Sequence, residues 1–308
     1  MATELPLVDA GAFNDNSWHK ALDAACESWG CFHLVGHGVS EQVLDGILEA
    51  MAAFFTLSAS EKQAIERTRD NPWGFFDREL TKNVRDWKEI FDVGPSAAEG
   101  PLAGSEPQWP ALAGFQEAVE AYYTAAEQVA VRLLEGISTN LGMAPGHLST
   151  GFQAGHTSFL RLNYYPLCDA PTEHLGISHH TDAGALTVLL ADSQPGLQFQ
   201  KAGEWHTVAP VSGALTINIG DIVQVWSNDR YRAPLHRVLA HADAVRYSAP
   251  FFYNPGYNVD YAPLPGALGP GEQPLYRPIN WGEFRAGRAA GDYANYGEEI
   301  QISQFRTG

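Results

Sequence analysis

Residues 178–190 read SHHTDAGALTVLL, and the pattern to which this stretch belongs decides the fold class. Its apolar end continues as ALTVLLAD (185–192), a short run suited to a buried strand. Segments of the same kind lie on either side: SFLRLNYYP (158–166), GLQFQ (196–200), WHTVAP (205–210), ALTINI (214–219) and DIVQVWSN (221–228). Pro195-Gly196 and Gly220-Asp221 are the clearest turn signals between them. From about 157 to 255 the chain therefore reads as short β segments separated by turns, the pattern of a β barrel or a double sheet.

Working outward, a helical stretch near 18–29 leads to a short strand at 31–35 and then to a helix from about Ser40. In that helix Val43, Ile47, Met51 and Phe54 recur at helical spacing. Residues 71–104, rich in aromatics, turns and charges, suit a loop or irregular strands. A long helix follows, with Leu112, Phe115, Val119, Tyr122, Val129, Leu133 and Ile137 spaced at threes, fours and sevens, and Gly142 is placed to stop it. After the β region come a Pro/Gly-rich loop and a helix near 281–288. The fold class is α+β with a mainly β core. We expect one domain over 1–308: a helical N-terminal region (1–150), a β core (155–256) and a C-terminal loop and helix (257–308).

Bulk properties exclude several functions. The chain has 308 residues, 45% hydrophobic and 18% charged, so it can bury a full core and is not a disordered sequence. With 19 basic and 36 acidic residues its net charge is −17, which repels a phosphate backbone, and no basic patch offsets it. No nucleic-acid partner is expected. MATELPLVDAGAFND lacks the basic start and apolar stretch of a secretion signal, and no run approaches the ~18 apolar residues that span a bilayer. Cys26, Cys31 and Cys168 are too few and too odd in number for a disulfide framework, and they lack the companions of a structural zinc site. A cytoplasmic protein without membrane association is expected.

The chemistry concentrates in the opening run. Residues two apart on a strand face one side, so His180 and Asp182 can reach one metal together. Two histidines and one carboxylate on one face of an iron ion leave three positions open, which is how a site activates dioxygen rather than storing iron. The pair alone says little, because 11 histidines and 16 aspartates in 308 residues yield roughly 0.6 such pairs by chance. A second pair, His241-Ala242-Asp243, lies in a polar stretch that reads as a solvated turn, and no histidine follows it. His236, in APLHRV (233–238), stands on a different strand with Leu235 and Val238 beside it. Alone it reads equally as a core histidine. Parity turns His179 outward.

Taken in order, these segments resemble the isopenicillin N synthase-like family of iron(II)/2-oxoglutarate-dependent dioxygenases over nearly the full length. The matching stretches are WGCFHLVGHGV (29–39), RDWKEIFDVGP (85–95), RLNYYPLC (161–168), HTDAGALTVLL (180–190), GLQ (196–198), INIGDIVQVWSN (217–228), LHRV (235–238) and RYSAPFF (246–252). The resemblance implies that residues 155–256 form a double-stranded β-helix, or jelly roll, as catalytic core. It carries the metal ligands onto His180, Asp182 and His236, and the carboxylate-binding Arg-x-Ser onto Arg246 and Ser248. A guanidinium fork and a hydroxyl two residues along one strand face suit a carboxylate. Tyr165 matches a tyrosine that contacts the cosubstrate, and Asn163 lies beside it. The implied cofactors are Fe(II), 2-oxoglutarate and O2, and the implied reaction hydroxylates or desaturates a small molecule by ferryl hydrogen abstraction, releasing succinate and CO2.

Strand alternation places Phe159, Arg161, Asn163 and Tyr165 on one face, so Arg161 is a candidate partner for an acidic or oxygen-rich substrate. An internal salt bridge is the competing role. Phe75, Phe76 and Arg78 in NPWGFFDREL (71–80), with Tyr293 and Tyr296 in the tail, are candidates for a pocket lid. Two further functions stay open at this level: an iron oxidase of the same fold that does not use 2-oxoglutarate, and a non-enzymatic sensor of 2-oxoglutarate or another metabolite. Substrate identity and oligomeric state have no signature in the sequence.

Overall fold

In the computed structural model, residues 3–81, 84–96, 104–153, 155–293 and 300–308 are described, the side chains of 289–293 excepted. The chain opens with β1 (Leu7–Asp9), α1 (His19–Ser28), β2 (Cys31–Val35), α2 (Glu41–Phe55) and α3 (Ala59–Gln63). It continues through β3 (Gly74–Phe76), the paired β4 (Leu80–Thr81) and β5 (Val84–Arg85), β6 (Glu89–Val93) and the long α4 (Phe115–Asn140). Next come β7 (Phe159–Tyr165), β8 (Leu175–His180), β9 (Leu186–Ala191), β10 (Leu197–Lys201), β11 (Glu204–Thr207) and β12 (Leu215–Ile219). Last are α5 (Asp221–Trp226), β13 (His236–Leu239), β14 (Arg246–Tyr253), the paired β15 (Asp260–Tyr261) and β16 (Ile279–Asn280), and α6 (Trp281–Tyr293).

Two sheets make the β core. The larger has eight strands in the order β1-β2-β12-β9-β14-β7-β6-β3, and the smaller has four in the order β11-β10-β13-β8. This is the jelly-roll arrangement within an α+β fold. Helices α1, α2 and α4 cover the larger sheet on its outer side. Their periodic apolar residues explain why: Leu44, Ile47, Met51 and Phe54 of α2, and Val119, Tyr122, Leu133 and Ile137 of α4, are all buried. Each such side chain contributes roughly 1.5–3 kcal/mol by leaving water. The Ser40 hydroxyl caps α2 by accepting from Val43 N, and Gly142, at φ 76°, follows the last turn of α4. Tyr122 pins α4 to the sheet, donating to Ala249 O and accepting from Leu190 N, both at 3.1 Å.

Two readings of the sequence are corrected. Residues 221–228, expected as a strand, form α5 and its exit. Ile222, Val223, Val225 and Trp226 are all buried, and a short, largely apolar run broken only by Gln224 does not reveal whether its period is helical or extended. Residues 1–150 are not simply helical, because they supply β1, β2, β3 and β6 to the larger sheet. Among the described residues no helix is long and apolar enough to cross a membrane.

Candidate active site

A cavity opens between the two sheets, lined from the larger one by Phe159, Asn163, Asn218 and Arg246 and from the smaller one by Ile177, His180, His236 and Val238. Its empty space, open solvent at the entrance included, is about 1190 Å³.

His180 is the last residue of β8 and His236 the first of β13, and the antiparallel register sets them directly opposite each other. Asp182 lies two residues past the end of β8, so the pair does not share a strand face as expected; the turn into β9 brings the carboxylate round. Asp182 Oδ1 is 3.8 Å from His180 Nε2 and 3.6 Å from His236 Nε2. One donor atom from each residue falls within 4.8 Å of the others, and among the described residues no second group of three such side chains converges this way. His241 and Asp243 stand apart, in a bend with Asp243 exposed.

Each group is turned by its surroundings to present one atom. His180 Nδ1 lies 2.8 Å from Ser178 O, and His236 Nδ1 lies 3.1 Å from Pro234 O. A carbonyl only accepts, so both Nδ1 atoms carry protons, and the two Nε2 atoms are the ones turned toward Asp182. Thr187 Oγ1 and Asn218 Nδ2 donate to Asp182 Oδ2 at 2.6 and 3.2 Å, leaving Oδ1 toward the imidazoles. Burial, reinforced by the neighbouring His236, pushes the His180 imidazole down to about 3. Burial alone would raise the Asp182 carboxyl, but the two imidazoles and the two hydrogen bonds hold it below its ordinary value. A neutral His180 imidazole beside an ionised Asp182 carboxylate suits a divalent ion.

The loop carrying Asp182 is clamped by α5. Asp221 N donates to Asp182 O at 2.8 Å, and Ile222 N donates to Gly184 O at 3.1 Å. Gly220 permits this approach, since a Cβ there would lie 2.1 Å from Gly184 O.

Arg246 sits deeper, on β14. Pairing with β7 sets Arg246 opposite Tyr165 and Ser248 opposite Asn163. All four residues are buried. Arg246 Nε and Nη1 and Asn163 Oδ1 lack hydrogen-bond partners among the described residues. The Tyr165 hydroxyl and Asn163 Nδ2 both lie 3.4 Å from Ser248 Oγ. Buried donors left without acceptors mark a place for an anion.

The substrate-side expectations divide. Phe159, Arg161, Asn163 and Tyr165 do line one cavity wall. Arg161, however, forms the internal salt bridge: its Nε and Nη2 donate to Asp92 at 2.7 and 2.8 Å, and its Nη1 donates to Glu79 at 2.6 Å. Phe75 and Phe76 do not line the cavity. Phe75 faces the core against Phe54, and alternation turns Phe76 the other way, between the guanidiniums of Arg67 and Arg78. Arg78 is itself ion-paired with Glu66 and Asp77. Tyr293 and Tyr296 fall outside the residues whose side chains are described. In place of the proposed lid, Leu80, Thr81, Phe252, Trp281, Arg285 and Arg288 complete the wall. The last three share a helix face by their spacing of four and three, a signal present in the sequence. Thr187 and Asn218 were also legible as polar residues within apolar runs.

Comparison with known proteins follows the same lines. The model of the 2OG-Fe(II) oxygenase superfamily matches residues 156–255, and that of the non-haem dioxygenase in morphine synthesis N-terminal region matches residues 5–112. Jasmonate-induced oxygenase 4 of Arabidopsis thaliana is 32% identical over 296 residues, covering 92% of this chain and 81% of its own. Feruloyl CoA ortho-hydroxylase 1 of the same plant is 32% identical over 291 residues, covering 91% and 78%. The crystal structure of JOX2 in complex with 2OG, Fe and JA superposes with a TM-score of 0.86 at 29% identity, covering 100% of this chain and 90% of that one.

Proposed function

The chain belongs to the 2OG-Fe(II) oxygenase superfamily, and from that premise we propose that His180, Asp182 and His236 hold its iron while Arg246 and Ser248, with Tyr165 and Asn163, hold 2-oxoglutarate. The protein is an iron(II)- and 2-oxoglutarate-dependent dioxygenase acting on a small molecule. Bound iron, with 2-oxoglutarate and dioxygen, supplies the oxidising power that hydroxylates or desaturates a C–H bond and leaves succinate and CO2.

What the chain contributes is orientation and exclusion of water. The backbone carbonyls of Ser178 and Pro234 fix the two imidazoles, and Thr187 and Asn218 fix the carboxylate. The Arg246 fork and the Ser248 hydroxyl are set to receive the distal carboxylate of the cosubstrate. Ile177, Leu189, Leu197 and Val238 give the adjoining cavity apolar walls suited to methylene carbons. Residues 1–308 act as one domain in this reading, with 155–256 carrying the chemistry.

The names of the relatives give feruloyl CoA and a flavonoid as substrates, and JOX2 is complexed with JA. A reducing cytoplasm agrees with three cysteines that are buried and free, and the net charge of −17 argues against a nucleic-acid partner.

The observation that carries the assignment is the convergence of three pre-oriented donors beside an unpartnered guanidinium. Anaerobic addition of Fe(II) and 2-oxoglutarate is expected to give a visible charge-transfer band. That band should be lost in His180→Ala, and in Arg246→Ala it should need about tenfold or more 2-oxoglutarate. A band of undiminished intensity in His180→Ala would refute the ligand set.

A further inference from the structure

Among the described residues the cavity is lined by five cations, Lys88, Arg161, Arg246, Arg285 and Arg288, against two carboxylates, Glu79 and Asp182. This inverts the balance of a chain whose net charge is −17. Three of the five are committed. Lys88 Nζ pairs with Glu79 at 2.9 Å and with Asp86 at 3.2 Å, Arg161 pairs with Asp92 and Glu79, and Arg288 pairs with Asp221. Arg246 and Arg285 form no ion pair with a described residue. Two uncommitted guanidiniums in one cavity call for two anions, and the cosubstrate accounts for the one at Arg246.

The surroundings of Arg285 describe the second. Its Cζ lies 5.6 Å from the centre of the Phe159 ring, which stacks on Phe252 at 4.7 Å and 26°. Those two rings are register partners across β7 and β14, and both are partly exposed within the cavity. We infer that Arg285 binds the anionic group of the primary substrate, and that this substrate is a monocarboxylate whose compact apolar body rests against Phe159 and Phe252. The inference rests on the cavity being the oxygenase site proposed above. One free guanidinium matches one negative charge, and a second charge would enter an apolar wall without a partner. Arg161, already neutralised by Asp92 and Glu79, is not the anion's partner.

The test uses the full chain loaded with Fe(II) and 2-oxoglutarate under nitrogen. Phenylacetate, 3-phenylpropionate and cyclohexylacetate are titrated by calorimetry, each against its primary amide. At least one acid is expected to bind about tenfold or more tightly than its amide, the scale of one charge-assisted hydrogen bond. Arg285→Ala should abolish that preference and Arg285→Lys should keep part of it, with the iron–2-oxoglutarate band intact in both. Amides that bind as well as their acids in all three pairs, or an Arg285→Ala protein that retains the preference, would overturn the inference while leaving the oxygenase reading in place. Absence of the band in the unaltered protein would remove both.

Discussion

Arg161 lies on the cavity wall, yet it donates three hydrogen bonds to acids 69 and 82 positions away in sequence. Arg67 joins the same acids at 3.2 Å from Asp92 and 3.5 Å from Glu79, and Lys88 completes a closed and nearly dry network. Removing one member of such a network leaves its partners charged and buried. Arg161→Ala is therefore expected to lower folding stability by about 3 kcal/mol, seen as a reduced urea midpoint at neutral pH. The effect should also depend on pH. Burial pulls the Glu79 carboxyl up, but Arg161, Lys88 and Arg67 together hold it well below its ordinary value of 4.5. A carboxyl depressed in the fold stabilises fully above its unfolded value and loses that contribution as acid protonates the folded form. The advantage over the variant should be full above pH ~4.5 and narrow below it. An equal midpoint for both proteins at neutral pH would show that the network does not depend on Arg161. Alternation along β7 was enough to aim this side chain at the cavity from sequence. Its partners, brought in by distant segments, were not legible, and they decide its role.

At the scale of elements, the turn after β8 and the start of α5 form one unit, because Gly220 lets two backbones touch. A Cβ on Gly220 would meet Gly184 O at 2.1 Å and Asp182 O at 2.9 Å, so the loop that aims Asp182 would have to move. Gly220→Ala is expected to weaken Co(II) binding about tenfold or more while leaving the far-UV circular dichroism unchanged. Unaltered affinity would mean that the loop is positioned by something other than this contact. The sequence marked Gly220-Asp221 as a turn, correctly, but the apolar run after it as a strand. Helices with one wet face, such as α2 and α4, were legible from their spacing because water and core impose the period. α5 has no wet face, and so no period to read.

Across the whole molecule, the β core between 157 and 255 was legible as short segments because each alternates or is apolar within itself. Which segments join which sheet was not, since β2, β3 and β6 reach the larger sheet from the first hundred residues by pairings that local pattern does not encode. The convergence of His236 on His180 and Asp182 belongs to this long-range class, and the ordered set of family motifs anticipated it where His236 alone did not.

The contrast between a chain of net charge −17 and a cavity lined by five cations has a kinetic consequence. An approaching dicarboxylate meets repulsion from the surface at long range and attraction within the cavity at short range. At 0.15 M ionic strength the screening length is about 8 Å, which mutes the far field but barely touches a contact with Arg246. Association of 2-oxoglutarate, followed by stopped flow, should therefore speed up as potassium chloride is raised from low millimolar levels and then level off. Association that slows with added salt would mean that the local cations reach further into solvent than their buried positions allow.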